Sequence, residues 1–127
     1  MEQTTLTRGE MERSLSQYIQ AFYRNQLGCK TRKVSCHILQ NKVAIAIENS
    51  LTPVEKLLDN HSDSEFTKDL RSRIDAIVKK QLPSGMEDIL GVKITDLTID
   101  TTLNHSFTGI MALLAETPMV RHSKSSR

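Results

Sequence analysis

Arg71 is a candidate for binding chemistry in this sequence. It lies off the apolar stripe that helical spacing predicts for its segment, which includes Leu70, Ile74 and Ile77. A guanidinium in such a place can hold an anion or a partner's carboxylate through two parallel hydrogen bonds. Asp75 follows four residues later, where a helix would bring its carboxylate next to Arg71. The sequence therefore leaves two interpretations open for Arg71, a binding residue or half of an internal ion pair.

Asp100, Thr101 and Arg121 are further candidates for binding a partner or an anion. Asp100 and Thr101 begin a polar segment, 100–106, which follows a predicted strand and is expected to be a loop. Loop residues often bind ligands, but aspartate and threonine are also ordinary loop formers. Arg121 opens the basic segment at the carboxyl end of the chain. Each of these residues therefore has a structural interpretation beside the functional one.

No constellation for catalysis or metal binding is recognisable in the sequence. The four histidines share no ligand-type spacing: His37, His61, His105 and His122. His37 adjoins Cys36 on a predicted strand, so the two side chains point to opposite faces and cannot form a nucleophilic pair. A glycine-rich phosphate loop and a GxSxG motif are both absent from the sequence. We therefore expect no enzymatic activity, no cofactor and no metal.

Charge is distributed unevenly along the chain, although the net charge is only +2. Residues 1–33 carry six Lys/Arg against three Glu, residues 34–120 carry eight cations against twelve acids, and residues 121–127 carry three cations and no acid. Solvated charge explains this layout, and so would contact with acidic protein, phosphate or lipid headgroups. Aromatic residues make up 4% of the chain and Trp is absent, which argues against nucleic-acid binding by base stacking.

Length and composition fit one small cytoplasmic domain. The 127 residues are enough for one modest core. No apolar run approaches the ~18–20 residues of a membrane span, and the amino-terminal segment lacks the apolar stretch of a signal peptide. Cys29 and Cys36 have no metal-type spacing, which fits a reducing compartment. We expect a domain over 7–120, between a flexible amino-terminal segment, 1–6, and a disordered basic tail, 121–127.

The first predicted element is a helix between Thr7 and Gly28. Thr7 and Glu10 form a capping box at its start, and Gly28 stands where a left-handed helix stop belongs. The apolar stripe of the helix consists of Met11, Leu15, Tyr18, Ile19, Phe22 and Leu27.

A β-hairpin is predicted next, with Gln40-Asn41 as a two-residue turn in which Asn41 supplies the positive φ. In this register one face carries the opposed pairs Ile38–Val43, Cys36–Ile45 and Val34–Ile47. The other face carries Ser35, His37, Ala44 and Ala46.

Two further helices follow the hairpin. Thr52 and Glu55 form a second capping box around Pro53, and this role explains Glu55 fully. A longer helix starts at 62–65, with the apolar stripe Phe66, Leu70, Ile74, Ile77, Val78 and Leu82. Pro83 is expected to end or kink this helix, with a fresh cap at 84–87.

Two more strands complete the predicted fold. Residues 92–99 alternate with a change of phase at Thr95-Asp96, as a β-bulge would produce. Residues 107–114 are nearly all apolar, which is typical of a strand buried on both faces. The resulting order, α-β-β-(short α)-α-β-β, is the ferredoxin-like order with its first strand moved to the end. We therefore predict an α+β fold, a four-stranded antiparallel sheet with two main helices on one face and with the second and fourth strands in the centre.

One face of such a sheet is left without helices. Its side chains would be Ala44, Ala46 and their neighbours, or the large apolar residues of the hairpin, depending on which face the helices cover. An uncovered sheet face or an edge strand is a natural surface for self-association, and we predict a homodimer.

A series of short segments over residues 6–121 carries a family resemblance. The main segments are Leu6-Thr7-Arg8-Gly9-Glu10, Tyr23-Arg24-Asn25-Gln26-Leu27-Gly28, Leu51-Thr52-Pro53-Val54-Glu55, Leu70-Arg71-Ser72, Leu90-Gly91-Val92 and Ala115-Glu116-Thr117-Pro118-Met119-Val120-Arg121. In this order they resemble cyanobacterial members of the MpsC-like family (DUF2294). The resemblance implies association with sodium-linked, membrane-potential-generating systems related to inorganic-carbon accumulation, and it brings with it no established catalytic activity or cofactor. Where members of this family continue helically, this chain has Pro83-Ser84-Gly85.

These observations favour a non-enzymatic, dimeric accessory protein with a protein partner in a membrane complex for ion or inorganic-carbon transport. The alternative is a regulatory domain that senses a small ligand, because ferredoxin-like dimers often bind effectors between subunits.

Overall fold

The computed structural model describes residues 6–59 and 64–122. Its elements are α1 (Arg8–Leu27), β1 (Lys33–Leu39), β2 (Lys42–Glu48), α2 (Pro53–Asp59), α3 (Ser64–Leu90), β3 (Ile94–Thr102) and β4 (Phe107–Leu114). This order confirms the predicted α+β class. The predicted cap at Ser62 and the histidine at position 61 lie outside the described residues, as do both ends of the chain apart from Leu6, Arg121 and His122.

The four strands form one antiparallel sheet in the order β1-β2-β4-β3. β2 and β4 are central, as predicted. The β1–β2 register is also the predicted one, since Cys36 pairs with Ile45 and Ile38 with Val43. The turn differs in one respect: Gln40, not Asn41, has the positive φ, 59°. A two-residue turn of the II′ type needs a positive φ only at its first central residue, which explains the difference.

Both long helices cover the same face of the sheet. α1 packs against β1, α3 packs against β3, and the two helices contact each other. The helix side of the core consists of Met11, Leu15, Ile19, Tyr23, Val78, Leu82, Met86 and Leu90, and the sheet side of Cys36, Ile38, Val43, Ile45, Ile47, Leu97, Ile110, Ala112 and Leu114. Burial of each large aliphatic side chain here contributes roughly 1.5–3 kcal/mol.

Both ends of α1 have the predicted caps. Thr7 Oγ1 accepts the Glu10 N–H at 3.2 Å, and Glu10 Oε1 accepts the Thr7 N–H at 2.9 Å. At the other end Gly28 adopts the left-handed conformation with φ 64°. Next to the start of α1 the backbone N–H of Arg121 donates to the Leu6 carbonyl at 2.8 Å, so the two ends of the described chain meet.

α3 runs without a break from Ser64 to Leu90, so of the two outcomes expected at Pro83, an end or a kink, the helix does not end there, and the fresh cap predicted at 84–87 is wrong. Pro83 lacks the N–H that would continue the helical ladder, but packing holds the helix on both sides of it. Leu82 and Met86 are fully buried, and the Tyr18 hydroxyl donates to the Leu82 carbonyl at 3.2 Å. Gly85 makes room for this contact, because a Cβ at this position would overlap the Tyr18 ring.

β3 extends beyond its predicted end. The predicted bulge is present, as a register shift between Ile94 and Asp96. The segment 100–102, predicted as a loop, is strand, because Thr101 and Thr102 pair with Thr108 and Phe107 of β4. Threonine is β-branched and fits a pleated surface, so a hydrophobic pattern alone underestimates this strand.

The sheet face turned away from the helices is the open face. By strand alternation it is formed by Lys33, Ser35, His37 and Leu39 of β1, Lys42, Ala44, Ala46 and Glu48 of β2, Phe107, Gly109, Met111 and Leu113 of β4, and Asp96, Thr98, Asp100 and Thr102 of β3.

β4 is buried on the helix side only. Phe107, Met111 and Leu113 lie on the open face and are exposed. The prediction that this strand is buried on both faces is therefore wrong for the single chain. The apolar pattern arose because outward-facing positions of β4 are also apolar.

Candidate functional site

Arg71 lies in the interior, in contact with two carboxylates. Its side chain is 5% exposed. The guanidinium donates from Nε to Glu55 Oε2 at 2.7 Å and from Nη2 to Glu55 Oε1 at 2.6 Å, which is the bidentate geometry. Nη1 donates to Asp75 Oδ1 at 2.9 Å, and Nη2 also donates to the Ser50 carbonyl at 3.0 Å. The pairing with Asp75 that the sequence spacing offered is thus present.

Glu55 is held in place by the capping box of α2. Thr52 N–H donates to Glu55 Oε1 at 2.9 Å, and Glu55 N–H donates to Thr52 Oγ1 at 3.3 Å. The predicted capping role is confirmed, but it is half of what this carboxylate does. The same two oxygens receive Arg71, so the cap of α2 and the anchor to α3 are one group.

Hydroxyl groups extend this arrangement into the sheet. Thr101 Oγ1 donates to Asp75 Oδ1 at 3.2 Å and lies 2.7 Å from Thr108 Oγ1, which in turn donates to Ser50 Oγ at 2.7 Å. We call the connected residues Ser50, Glu55, Arg71, Asp75, Thr101 and Thr108 the Arg71 cluster. It joins α2, α3, β3, β4 and the segment after β2 through a single hydrogen-bonded network.

Burial and charge act in opposite directions in the Arg71 cluster. Burial would lower the pKa of Arg71, but its bonds to Glu55 and Asp75 outweigh burial and raise that pKa. Burial raises the pKa of Asp75 above its ordinary value, although Arg71 and Thr101 oppose the rise. The network therefore keeps its cation charged and makes the second carboxylate easier to protonate.

The structure separates the four candidate binding residues. Arg71 and Thr101 belong to the Arg71 cluster, where an external anion would have to displace a carboxylate. Asp100 is the strand neighbour of Thr101 and lies exposed on the open face instead. Arg121 is exposed, with Nη2 at 3.6 Å from Glu10 Oε1. These residues do not form one site.

The open face contains a shallow hollow of about 340 Å³. Its lining includes His37 and Ser35 on one side, Asp100 and Thr98 on the other, and Ala44, Ala46 and Gly109 between them. The sequence alone does not predict this hollow, because the pairing that brings Gly109 next to the alanines is a long-range contact between β2 and β4. The β2–β4 register, in which Ala46 pairs with Gly109, creates the hollow.

Side chains of the types that bind metals are not brought together in the described part of the chain. Among these residues, no three His, Cys, Asp or Glu side chains are grouped as metal ligands would be. Both cysteines are buried and free, and burial raises the pKa of Cys36 to about 11, which keeps its thiol protonated at neutral pH.

One comparison with known proteins gave a match. A family model described as Na+-translocating membrane potential-generating system (MpsC) matches residues 7–116, which include every helix and strand of the fold. No curated protein and no solved structure matches the chain. Within residues 6–59 and 64–122, none of the helices combines the length and the apolar character that crossing a bilayer requires.

Proposed function

Since the chain belongs to the MpsC family, which is described as a Na+-translocating membrane potential-generating system, we propose that it is a non-enzymatic accessory protein of such a system. It acts as a dimer on the cytoplasmic side and binds a membrane component that transports ions or inorganic carbon. The family match over residues 7–116 is the observation that carries this proposal.

The Arg71 cluster supports a positioning role over a catalytic one. The Arg71 guanidinium donates hydrogen bonds to two carboxylates and a carbonyl of the same chain, so its donors serve contacts inside the domain. What it achieves mechanically is to fix the short helix α2 on α3 through the Glu55–Arg71 pair. A helix of seven residues is too short to be stable alone and depends on such an anchor.

The helices that this anchor joins expose several large apolar side chains. Val54 and Leu57 of α2 and Phe66 in the first turn of α3 are exposed, and we call these three residues the α2–α3 patch. Large apolar side chains on neighbouring exposed helices favour a protein contact. Since Glu55 lies between Val54 and Leu57 in sequence, the buried ion pair holds the α2–α3 patch in a defined position. The membrane component binds here.

Cross-linking mass spectrometry in native cells tests the proposal. Lys56 and Lys68 are exposed and lie beside the α2–α3 patch in sequence, so an amine-reactive reagent should link them to a membrane-embedded subunit of an ion-transport complex. Leu57→Ser should remove these links, while Met119→Ser, at another exposed apolar residue, should leave them unchanged. Links to other copies of this chain alone would contradict the accessory role, and links that persist in Leu57→Ser would contradict the placement of the contact at the α2–α3 patch.

A small-ligand sensor is the second candidate function, and the hollow of the open face is the observation that favours it. His37 on one side of the hollow can donate and accept hydrogen bonds, and the Asp100 carboxylate on the other side accepts them. A ligand present at ~100 times its Kd should add roughly 2.7 kcal/mol to the free energy of unfolding. A thermal-shift screen with nucleotides, bicarbonate and amino acids would detect this. A shift that Asp100→Ala abolishes supports the sensor, and the absence of any shift contradicts it.

A further inference from the structure

The outer edges of the sheet carry carboxylates that occupy backbone donors. Glu12 Oε2 from α1 accepts the Ile38 N–H of β1 at 2.8 Å. On the other edge Glu87 Oε2 from α3 accepts the Ile94 N–H at 2.8 Å, and Asp96 Oδ1 accepts the Leu97 N–H at 2.8 Å. A strand added from another molecule would need these donors free and would meet negative charge. Self-association through either edge is therefore disfavoured.

The open face has the opposite character. Leu39, Phe107, Met111 and Leu113 are all exposed there, and β4 has the composition of a strand that is covered on both sides. The centre of the face is built from small residues, since Ser35, Ala46 and Gly109 fall in one cross-strand row. A floor of small side chains with larger apolar residues around it suits the close packing of a second sheet, at about 10 Å.

From these observations we infer that a second copy of this chain covers the open face, with β1 of each copy lying across β3 of the other. This inference specifies the dimer that the proposed function includes, but its evidence is separate from the α2–α3 patch. The two copies form a four-layer molecule in which helices lie outside and the two sheets meet inside.

Charge on the open face decides the orientation. β1 contributes Lys33, in the cross-strand row of Thr102, whereas β3 contributes Asp100, in the next row. A two-fold axis parallel to the strands places β1 over the partner's β3 with the rows in register, so Lys33 lies over the partner's Thr102, one row from its Asp100. This happens twice, once on each side of the axis. An axis across the strands would place β1 over β1 and β3 over β3, which takes Lys33 away from the partner's Asp100. The first arrangement is therefore favoured.

The same orientation accounts for His37. His37 lies on the open face of β1, two residues from Ser35. Because β1 lies over β3 of the second copy, His37 faces that strand, where Thr98 and Asp100 offer hydrogen-bond acceptors. The shallow hollow of the single chain becomes an enclosed space between the two sheets.

Sedimentation equilibrium at micromolar concentration tests the inference. The wild-type chain should be a dimer, and Met111→Asp should raise the dimer Kd about 100-fold or more, because it buries an unpaired charge. Ile77→Asp is the matched control, since Ile77 on α3 is 45% exposed and Met111 is 46% exposed. It should leave the Kd unchanged. Circular dichroism of both variants shows whether they are folded.

A charge swap tests the orientation. Lys33→Asp and Asp100→Lys should each raise the dimer Kd about 10-fold, and the double variant should restore it, because opposite charges then lie in neighbouring rows again. A wild-type monomer, a dimer indifferent to Met111→Asp, or a double variant weaker than both single variants would overturn the inference. Monomeric Met111→Asp that still cross-links to the membrane subunit would leave the accessory role standing. A wild-type dimer without such links would leave the dimer inference standing and would contradict the accessory role.

Discussion

Arg71 is the cation of the Arg71 cluster, which connects α2, α3, β3, β4 and the segment after β2. Its removal leaves Glu55 buried without a counter-charge, so we expect Arg71→Met to lower the free energy of unfolding by about 3–5 kcal/mol. Arg73→Met is the matched control on the same helix, because the Arg73–Asp69 pair is exposed and should be worth less than about 1 kcal/mol. Urea denaturation of both variants measures the difference. Equal losses would contradict a buried ion pair of this importance.

Removal of both charges should restore part of the loss. Glu55→Gln keeps an oxygen for the α2 capping box but removes the charge that Arg71 neutralises. The variant Arg71→Met/Glu55→Gln should therefore be more stable than Arg71→Met alone. If it is less stable, hydrogen bonds other than the ion pair dominate the Arg71 cluster.

Asp75 gives the cluster a dependence on pH. Its pKa in the folded protein is raised above the ordinary value of 3.8, so the folded state binds this proton more tightly than the unfolded state does. The stability that this proton contributes is complete below the ordinary pKa and is lost as pH rises through the raised value. Asp75→Asn cannot titrate. The free energy of unfolding of the wild type, relative to Asp75→Asn, should therefore fall as pH rises from 3.5 to 6.5.

Chemical denaturation of both proteins at a series of pH values checks this expectation. Carboxylates shared by the two proteins contribute equally and cancel in the difference. A difference that rises with pH would mean that Arg71 outweighs burial at Asp75 and lowers its pKa.

At the level of single residues the sequence predicted only local relations. Arg71–Asp75 and Thr52–Glu55 lie four and three residues apart, and both pairs are present. The Glu55–Arg71 pair spans 16 residues and depends on how α2 packs on α3, which no local spacing reveals. Thr108 was a usable signal, because a hydroxyl in an otherwise apolar strand needs a partner when it is buried.

Among the elements, α3 shows most clearly how tertiary packing overrides local preference. The Tyr18 ring lies against the helix at Gly85, so we expect Gly85→Ala to cost about 1–3 kcal/mol, although alanine favours helices. Gly9→Ala in α1 is the control, because a Cβ there meets nothing within 4 Å. It should be neutral or stabilise by up to about 1 kcal/mol. Thermal denaturation would compare the two, and a stabilising Gly85→Ala would contradict the packing described.

The elements that could be predicted are those fixed by short-range rules. Capping boxes placed the starts of α1 and α2, and strand alternation fixed the hairpin register. Pro83 does not end α3, because the free energy that proline costs a helix is smaller than the free energy gained by packing Leu82 and Met86 around it. The predicted end of β3 is too early, because its last residues are polar. They are strand in the structure because Thr101 pairs with Thr108 of β4, a long-range contact.

At the scale of the whole molecule, two surfaces point in different directions. The open face lies on the side of the sheet that the helices leave uncovered, and the α2–α3 patch belongs to helices. In the inferred dimer the open faces meet inside and both patches remain outside. One dimer then presents two binding positions to membrane components, and the avidity of such an arrangement exceeds that of a single contact.

The contact between Leu6 and Arg121 makes another cut of the chain possible. Their backbones are hydrogen bonded, so a short linker from residue 122 to residue 6 would barely strain the fold. New ends between Asn104 and His105, both exposed, leave the Ser106 bonds to Ser50 and Leu51 intact. We expect this circular permutant to fold, with a free energy of unfolding within about 2 kcal/mol of the original. Failure to fold would show that the Leu6–Arg121 contact does not hold the ends together.

Such a permutant would have the element order β-α-β-β-α-β, which is the order of the ferredoxin-like fold. With its ends joined at the terminal contact, this domain is therefore a circular permutation of that order. Evolution of one element order from the other would then require a new position for the chain ends but no new packing between helices and strands.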